Sequence, residues 1–221
     1  MHATTVRVVN GAEGVALGWV YGEGVRVGPS GRSWEAEFER ALSRWRGREE
    51  APATTCLKAA VRQMLRHGSY KPTGRGKPAS EYLLHAALEG RFPRVSNVVD
   101  AANLASLESL LPISLLDVDR CGSEAFGIRR GRAGERYVFN PSGQELDLQD
   151  LLLAATLPGD VPCGSPVKDS QATKVAPDTT RILGVVYAPS AMADQAREVA
   201  DRLARLLEAE DARTLSGVSF P

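Results

Sequence analysis

Two polar side chains stand inside an apolar pattern: Asp100 and Asn103, in the run from Asn97 to Asp119. Wound as a helix at about 100° per residue, the run puts Val99, Leu104, Leu107, Leu110 and Leu111 on one face. Asp100 and Asn103 fall within that face, while Ala101, Ala102, Ala105, Ser106 and Glu108 cover the other side. Burying either polar group without a partner costs roughly 1–3 kcal/mol, and more for the charge. Each must therefore be hydrogen-bonded, to the chain or to a ligand. Such residues also serve to tie down a loop or a helix end, and Asp100 is read in that structural role. A second concentration of donors and acceptors lies in Val167–Val175, between two apolar segments. Its Lys168, Asp169, Ser170 and Thr173 suit either a polar pocket or a turn that satisfies itself.

Charge supplies a third signal. The segment Ala51–Ser80 holds Lys58, Arg62, Arg66, Lys71, Arg75 and Lys77 and no acid. Its second half, Tyr70 to Pro78, is rich in Gly and Pro and reads as a loop. A flexible basic loop opening on an aromatic residue suits phosphate or RNA contact. The same charges also fit a solvated helix face leading into an ordinary surface loop. No Gly-x-x-x-x-Gly-Lys-Ser/Thr is present, so nucleotide hydrolysis is not indicated. His85 reads as a structural or exposed residue of a helix.

The elements that must position these groups follow from periodicity. Thr4–Val9 and Val15–Tyr21 read as a hairpin or two adjacent strands. Ser33 is a plausible cap for a helix whose Trp34, Phe38, Leu42 and Trp45 form a core stripe. A second helix is expected from about Thr54 to His67. A third runs from Glu81 to Leu88, capped by Ser80, burying a set such as Tyr82, Leu83, Ala86 and Ala87, and ended by Gly90. Pro112 stops the helix that begins at Asn97, and Ile113–Val118 is a buried strand closed by Asp119. Strands are expected at Ala125–Arg129, Arg136–Phe139 and Ile182–Tyr187, a short helix is one reading of Leu146–Ala155, and Pro158–Pro166 is loop-like. Ser190 to about Ala209 is a one-faced closing helix.

Composition bounds the rest. A chain of 221 residues with ordinary apolar content suits one α/β or α+β domain, with a small N-terminal lobe possible to about residue 50. Acids and bases balance at 27 each, so no whole-molecule field draws nucleic acid or membrane; no DNA or membrane partner is expected. Cys56, Cys121 and Cys163 lack Cys-x-x-Cys spacing, which suggests reduced thiols, a cytoplasmic setting and neither metal nor other cofactor. The start has no long apolar run, so no signal peptide is expected, and no stretch approaches the roughly 18 apolar residues of a membrane span.

Asn97-Val98-Val99-Asp100-x-x-Asn103, Ser106-Leu107, Leu111-Pro112 and Asp117-x-Asp119 together resemble the B3/B4 domain of the bacterial phenylalanyl-tRNA synthetase β subunit, above all its free-standing single-domain forms. Gly134-Glu135 and the segment Lys168–Thr180 are similar to its later parts, and the resemblance covers about residues 70 to 189. It implies layered mixed β-sheets with helices packed on one side. In the synthetase this domain hydrolyses tyrosine wrongly attached to phenylalanine tRNA. Its pocket histidine falls on Ser114 and its pocket glutamate near Val185, so that specificity does not carry over.

An aminoacyl ester is already activated, so a hydrolase need only position water, hold the 3′ end and stabilise the oxyanion. The resulting expectation is a trans-editing aminoacyl-tRNA deacylase. Asn103 and Ser106 would take positioning roles, Lys168 would be the cation and Asp169 would orient the amino group. Ser114, Ser170 and Thr173 would contact substrate, and Lys71, Arg75, Lys77 and Arg94 would guide the tRNA, with Asp100 and Asp117 structural. The alternatives are a non-catalytic tRNA- or amino-acid-binding module, and a protein-interaction module that meets a tRNA synthetase.

Overall fold

In the computed structural model, which describes residues 6–31 and 33–221, the chain folds into layered mixed sheets with helices packed beside them. β1 (Arg7–Asn10) and β2 (Val15–Glu23) are both strands, as their β-branched runs demand. They are not a hairpin. β1 pairs in parallel with β4 (Ala125–Arg130), whereas β2 enters a different sheet. Asn10 explains the divergence: its Nδ2 donates to Val15 O at 2.8 Å and its Oδ1 accepts from Ala12 N at 3.0 Å. That turn redirects the chain instead of folding it back on itself.

The first sheet runs β1-β4-β7-β8, with β7 at Leu152–Thr156 and β8 at Pro162–Gly164. The second runs β10-β2-β9-β3, with β3 at Ile113–Asp117, β9 at Arg181–Pro189 and β10 at Arg213–Ser219. A small hairpin joins β5 (Arg136–Val138) to β6 (Glu145–Asp147). The short helix considered for Leu146–Ala155 is thus two strands. All five residues of β7 are buried, so a continuous apolar run is what its position requires, and such a run cannot be told from a helix by periodicity. Pro158–Pro166 contains β8, and the C-terminal tail supplies β10, an edge strand beside β2.

Helices α1 (Trp34–Ser43), α3 (Ala79–Leu88) and α4 (Asn97–Ser109) share a second apolar cluster built on Leu42, Leu84, Leu104 and Leu107. α2 (Pro52–Leu65) sends Val61, Met64 and Leu65 into the main core, where residues of both large sheets meet. α6 (Ala193–Glu208) follows a 3-10 turn at Ser190–Met192 and packs on β2, β9 and β10. Two caps are not formed as expected. Ser33 makes no side-chain cap bond, and Ser80 lies fully buried inside α3. Tyr82, expected inside, is 62% exposed because Leu84 takes the inward position.

α4 has no solvent face of the kind its periodicity implies. Ala101, Ala102, Ala105 and Ser106 are as buried as the leucines, since α6 and β3 pack on one side and α1 and α3 on the other. The helix ends at Leu110, held in the left-handed region at φ 58°, two residues before Pro112. β3 then stops at Asp117, which caps α5 (Val118–Cys121) by accepting from Arg120 N at 2.9 Å. Asp119 belongs to that helix and not to the strand end.

Candidate functional site

The polar residues of α4 clasp the helix to the chain around it. Asp100 is 2% exposed. Its Oδ2 accepts from Ser30 Oγ at 2.6 Å and from Arg94 Nε at 2.9 Å, and its Oδ1 accepts from Val95 N at 2.8 Å. Asn97 Oδ1 accepts from Gly28 N at 3.0 Å, and its Nδ2 donates to Arg26 O at 2.9 Å and to Glu210 Oε2 at 3.3 Å. Ser106, expected on the lining of a pocket, is 2% exposed and donates to Leu111 O at 2.8 Å, tying off the end of its own helix. Asn103 is half-buried on the same helix. Arg94 is anchored three ways: its guanidinium lies 3.4 Å from the centre of the Trp34 ring, and it pairs with Asp100 and, at 3.3 Å, with Glu35. RNA contact by Arg94 would have to compete with all three. The aromatic stripe of α1 is core, with Trp34 stacked on Phe38 at 4.9 Å and Trp45 Nε1 donating to Leu107 O at 2.8 Å.

The second group is brought together far from that clasp. Asp169 Oδ2 accepts from Leu115 N at 3.0 Å and its Oδ1 from Ser165 N at 3.1 Å. Burial pushes its carboxyl up to about 6, an effect opposed by the hydrogen bonds from Ser114, Leu115 and Ser165. Ser165 Oγ donates to Lys168 O at 2.8 Å, and Thr173 Oγ1 donates to Cys163 O at 2.7 Å. Ser170 N bonds Cys163 O at 2.9 Å, and Ser170 Oγ accepts from Ala172 N at 3.4 Å. The segment thus spends its short donors and acceptors on main chain, its own and that of β3 and β8 beside it. Asp117 is likewise filled, accepting from Thr179 Oγ1 at 2.5 Å as well as capping α5. What remains turned outward is Lys168, whose Nζ sits 3.8 Å from the Phe139 ring centre. Desolvation, with Arg75 and Lys174 nearby, holds its ammonium below the ordinary lysine value.

Lys168 lines a cleft of about 800 Å³ between α2, α3 and the basic loop. Lys58 and Arg62 of α2, Arg75 and Lys77 of the loop, and Glu81, Tyr82 and His85 of α3 also line it. The loop is pinned rather than loose. Tyr70, its opening aromatic, points inward and donates to Gly76 O at 2.6 Å, and burial pushes its phenol up to about 12. Ala79 N bonds Pro166 O at 2.9 Å, which ties the start of α3 to the segment carrying Lys168. Lys71, Arg75 and Lys77 are exposed. Arg62 forks onto Glu81, its Nε donating to Oε1 at 2.5 Å. The cleft therefore gathers Arg75, Lys77 and Lys168 but neither Asp100, Asn103, Ser106 nor Arg94. Lys58 and Arg62 were visible only as members of the acid-free segment. Glu49, Glu50 and Glu81, also in the wall, gave no signal in the sequence. Among the described residues no group of three or more His, Cys, Asp or Glu side chains is placed to hold a metal, and no helix is long and apolar enough to cross a membrane.

Ser114 and Val185, at and near which the resemblance would set the synthetase's pocket residues, are neighbours but closed. Ser114 and Val185 are register partners across β3 and β9, and both are fully buried. Ser114 Oγ lies 3.1 Å from the hydroxyl of Tyr187, itself without exposed surface. That corner is packed with side chains.

The profile of the B3/4 domain matches residues 73–213, well over half of the chain. The chain belongs to the B3/4 domain family. A search of the curated proteins matched none of them. Among solved structures, the chain is similar to an N-terminal fragment of the phenylalanyl-tRNA synthetase β-subunit from Pyrococcus horikoshii, at 11% identity and a TM-score of 0.49, over 96% of this chain and 50% of that one. The chain spans about half the length of that fragment. The B3/4 match begins within the basic loop. Arg75, Lys77, Glu81, His85 and Lys168 of the cleft lie inside it, whereas Glu49, Glu50, Lys58 and Arg62 precede it.

Proposed function

We propose that this B3/4 domain is an aminoacyl-tRNA deacylase that takes the acceptor end of a tRNA into the cleft between α2, α3 and the basic loop. The observation that carries this reading is the convergence on one cleft of Arg75, Lys77 and Lys168, none paired with a carboxylate among the described residues, in a chain of zero net charge. A local cationic groove holds a phosphate backbone where the whole-molecule field cannot. Water attacks the ester carbonyl carbon, the bond to the ribose oxygen breaks, and the products are the free amino acid and the uncharged tRNA. Lys168 is the cation placed to meet the developing oxyanion. Asn103 and Ser106 have no part in this cleft, and Asp169 acts by holding the Lys168 segment in place. The implied partner is tRNA or aminoacyl-tRNA, with a tRNA synthetase as the natural source of mischarged substrate.

The test is a deacylation panel of mischarged tRNAs with the full chain. At least one member is expected to lose its amino acid faster than in buffer, and Lys168→Ala to slow that rate by roughly 10²-fold, as loss of one oxyanion-stabilising donor does. A panel with no hydrolysed member, while tRNA still binds, would remove the enzyme reading. It would leave a non-catalytic tRNA-binding module. That second reading is favoured by one observation: the hydroxyls of Ser106 and Thr173 are committed to main-chain acceptors, and that of Ser114 is closed in with Tyr187.

A further inference from the structure

One wall of the cleft comes from chain that precedes the B3/4 match, and it carries a carboxylate oxygen that no other described residue satisfies. Glu49 Oε2 has no exposed surface and, among the described residues, no hydrogen-bond partner. The cations on its side are engaged elsewhere. Lys58 Nζ donates to the main-chain oxygen of Glu49 at 2.7 Å and lies 4.0 Å from Glu50 Oε1, while Arg62 is forked onto Glu81. From the basic loop and the Val167–Lys168 segment, the cleft receives Arg75, Lys77 and Lys168. The cleft is thus bipolar: the half-buried Glu49 side chain lines one wall, with one oxygen covered and unpartnered, and the other walls contribute cations. An unpaired charged acceptor gains most from a charged donor. A molecule carrying a primary ammonium close to a phosphate matches this arrangement. The aminoacylated end of a tRNA has both, an α-ammonium on the ester and a phosphodiester one nucleoside away.

We infer that Glu49 turns its covered, unpartnered oxygen into the cleft to receive the α-ammonium of the aminoacyl group, so that the site selects aminoacyl-tRNA with a free amine over uncharged and N-acylated tRNA. This rests on the aminoacyl-tRNA reading above and names the part of the substrate that is read. It also assigns a role to a residue outside the family match.

The experiment measures equilibrium affinity of the full chain for tRNAs carrying each common amino acid in a non-hydrolysable amide linkage to the 3′ ribose, with the amine free or acetylated. At least one free-amine probe is expected to bind roughly tenfold tighter than its acetylated form, the size of one charge-assisted hydrogen bond. Glu49→Gln is expected to bring that ratio close to one, and Glu39→Gln, a change at an exposed carboxylate outside the cleft, to preserve it. Equal binding of free and acetylated probes by the unaltered protein overturns the inference, whatever the fate of the variants. So does a ratio that survives in folded Glu49→Gln protein. If the deacylation panel is still positive in either case, the deacylase reading stands and only the ammonium contact falls. Loss of all tRNA affinity and deacylation removes both.

Discussion

Asp169 shows how far a residue's role depends on what surrounds it. In the sequence it sits among Lys168, Ser170 and Thr173 and reads as a pocket side chain. In the fold it accepts two main-chain N–H bonds and braces the segment that presents Lys168. Its carboxyl, raised to about 6 by burial, has a measurable consequence. The folded protein holds that proton more tightly than the unfolded chain, where the value is about 3.9. Stability from this group is therefore present in full below about pH 4 and is lost as pH rises through about 6. Other carboxylates, such as Glu135 and Asp160, are held low by Arg129 and give the opposite slope. The contribution of Asp169 is isolated by comparison with Asp169→Asn in urea unfolding at several pH values. The stability of the unaltered protein relative to the variant is expected to fall by roughly 2–3 kcal/mol between pH 4 and 7.

At the scale of elements, α4 combines bounds that are plain in the sequence with an orientation that is not. Its bounds follow from the residues in order, because Pro112 and the pattern from Asn97 onward allow little else. Its orientation does not, because alanines and Ser106 are compatible with either an exposed or a tightly packed face, and here they let α6 and β3 come close. The partners of Asp100 and Asn97 come from Arg26–Ser30, Arg94–Val95 and Glu210, up to 113 positions away in the chain. Asp100→Ala leaves Ser30 Oγ and Val95 N without their acceptor and Arg94 with Glu35 alone. It is expected to lower the free energy of unfolding by about 1–3 kcal/mol, the cost of leaving buried donors without an acceptor, since Arg94 itself is 45% exposed and stays solvated. Urea titration reads that loss. If Asp100 is a clasp rather than a substrate contact, tRNA affinity of the folded fraction will not change with it.

At the scale of the molecule, the zero net charge hides a local asymmetry. The acid-free segment from Ala51 to Ser80 spans α2 and the basic loop, and folding sets Lys168 beside them across the cleft. The proposed tRNA binding through this surface would depend on counterion release. The plot of log affinity against log salt is expected to flatten by roughly 2 to 3 in a Lys71, Arg75, Lys77 triple alanine variant, since each cation withdrawn from a phosphate lowers the slope by about 0.7–0.9. An unchanged slope would place the RNA on another face.

Most elements, the acid-free stripe and the motif that marks the B3/4 family were legible in the residues taken in order, because these rest on local periodicity, turn chemistry and short spacings. The same residues left open that β1 and β2 part into different sheets, that Leu146–Ala155 is strand, and that the tail returns as β10. Which polar groups meet was settled by folding alone. Asp100 and Ser106 closed on the protein itself, Ser114 and Val185 were packed shut, and Lys168 came out on the same cleft as Lys58 and Glu49. The physical reason is that a buried polar group takes whichever partner long-range packing delivers to it, and that partner leaves no mark on the residues beside it in the chain.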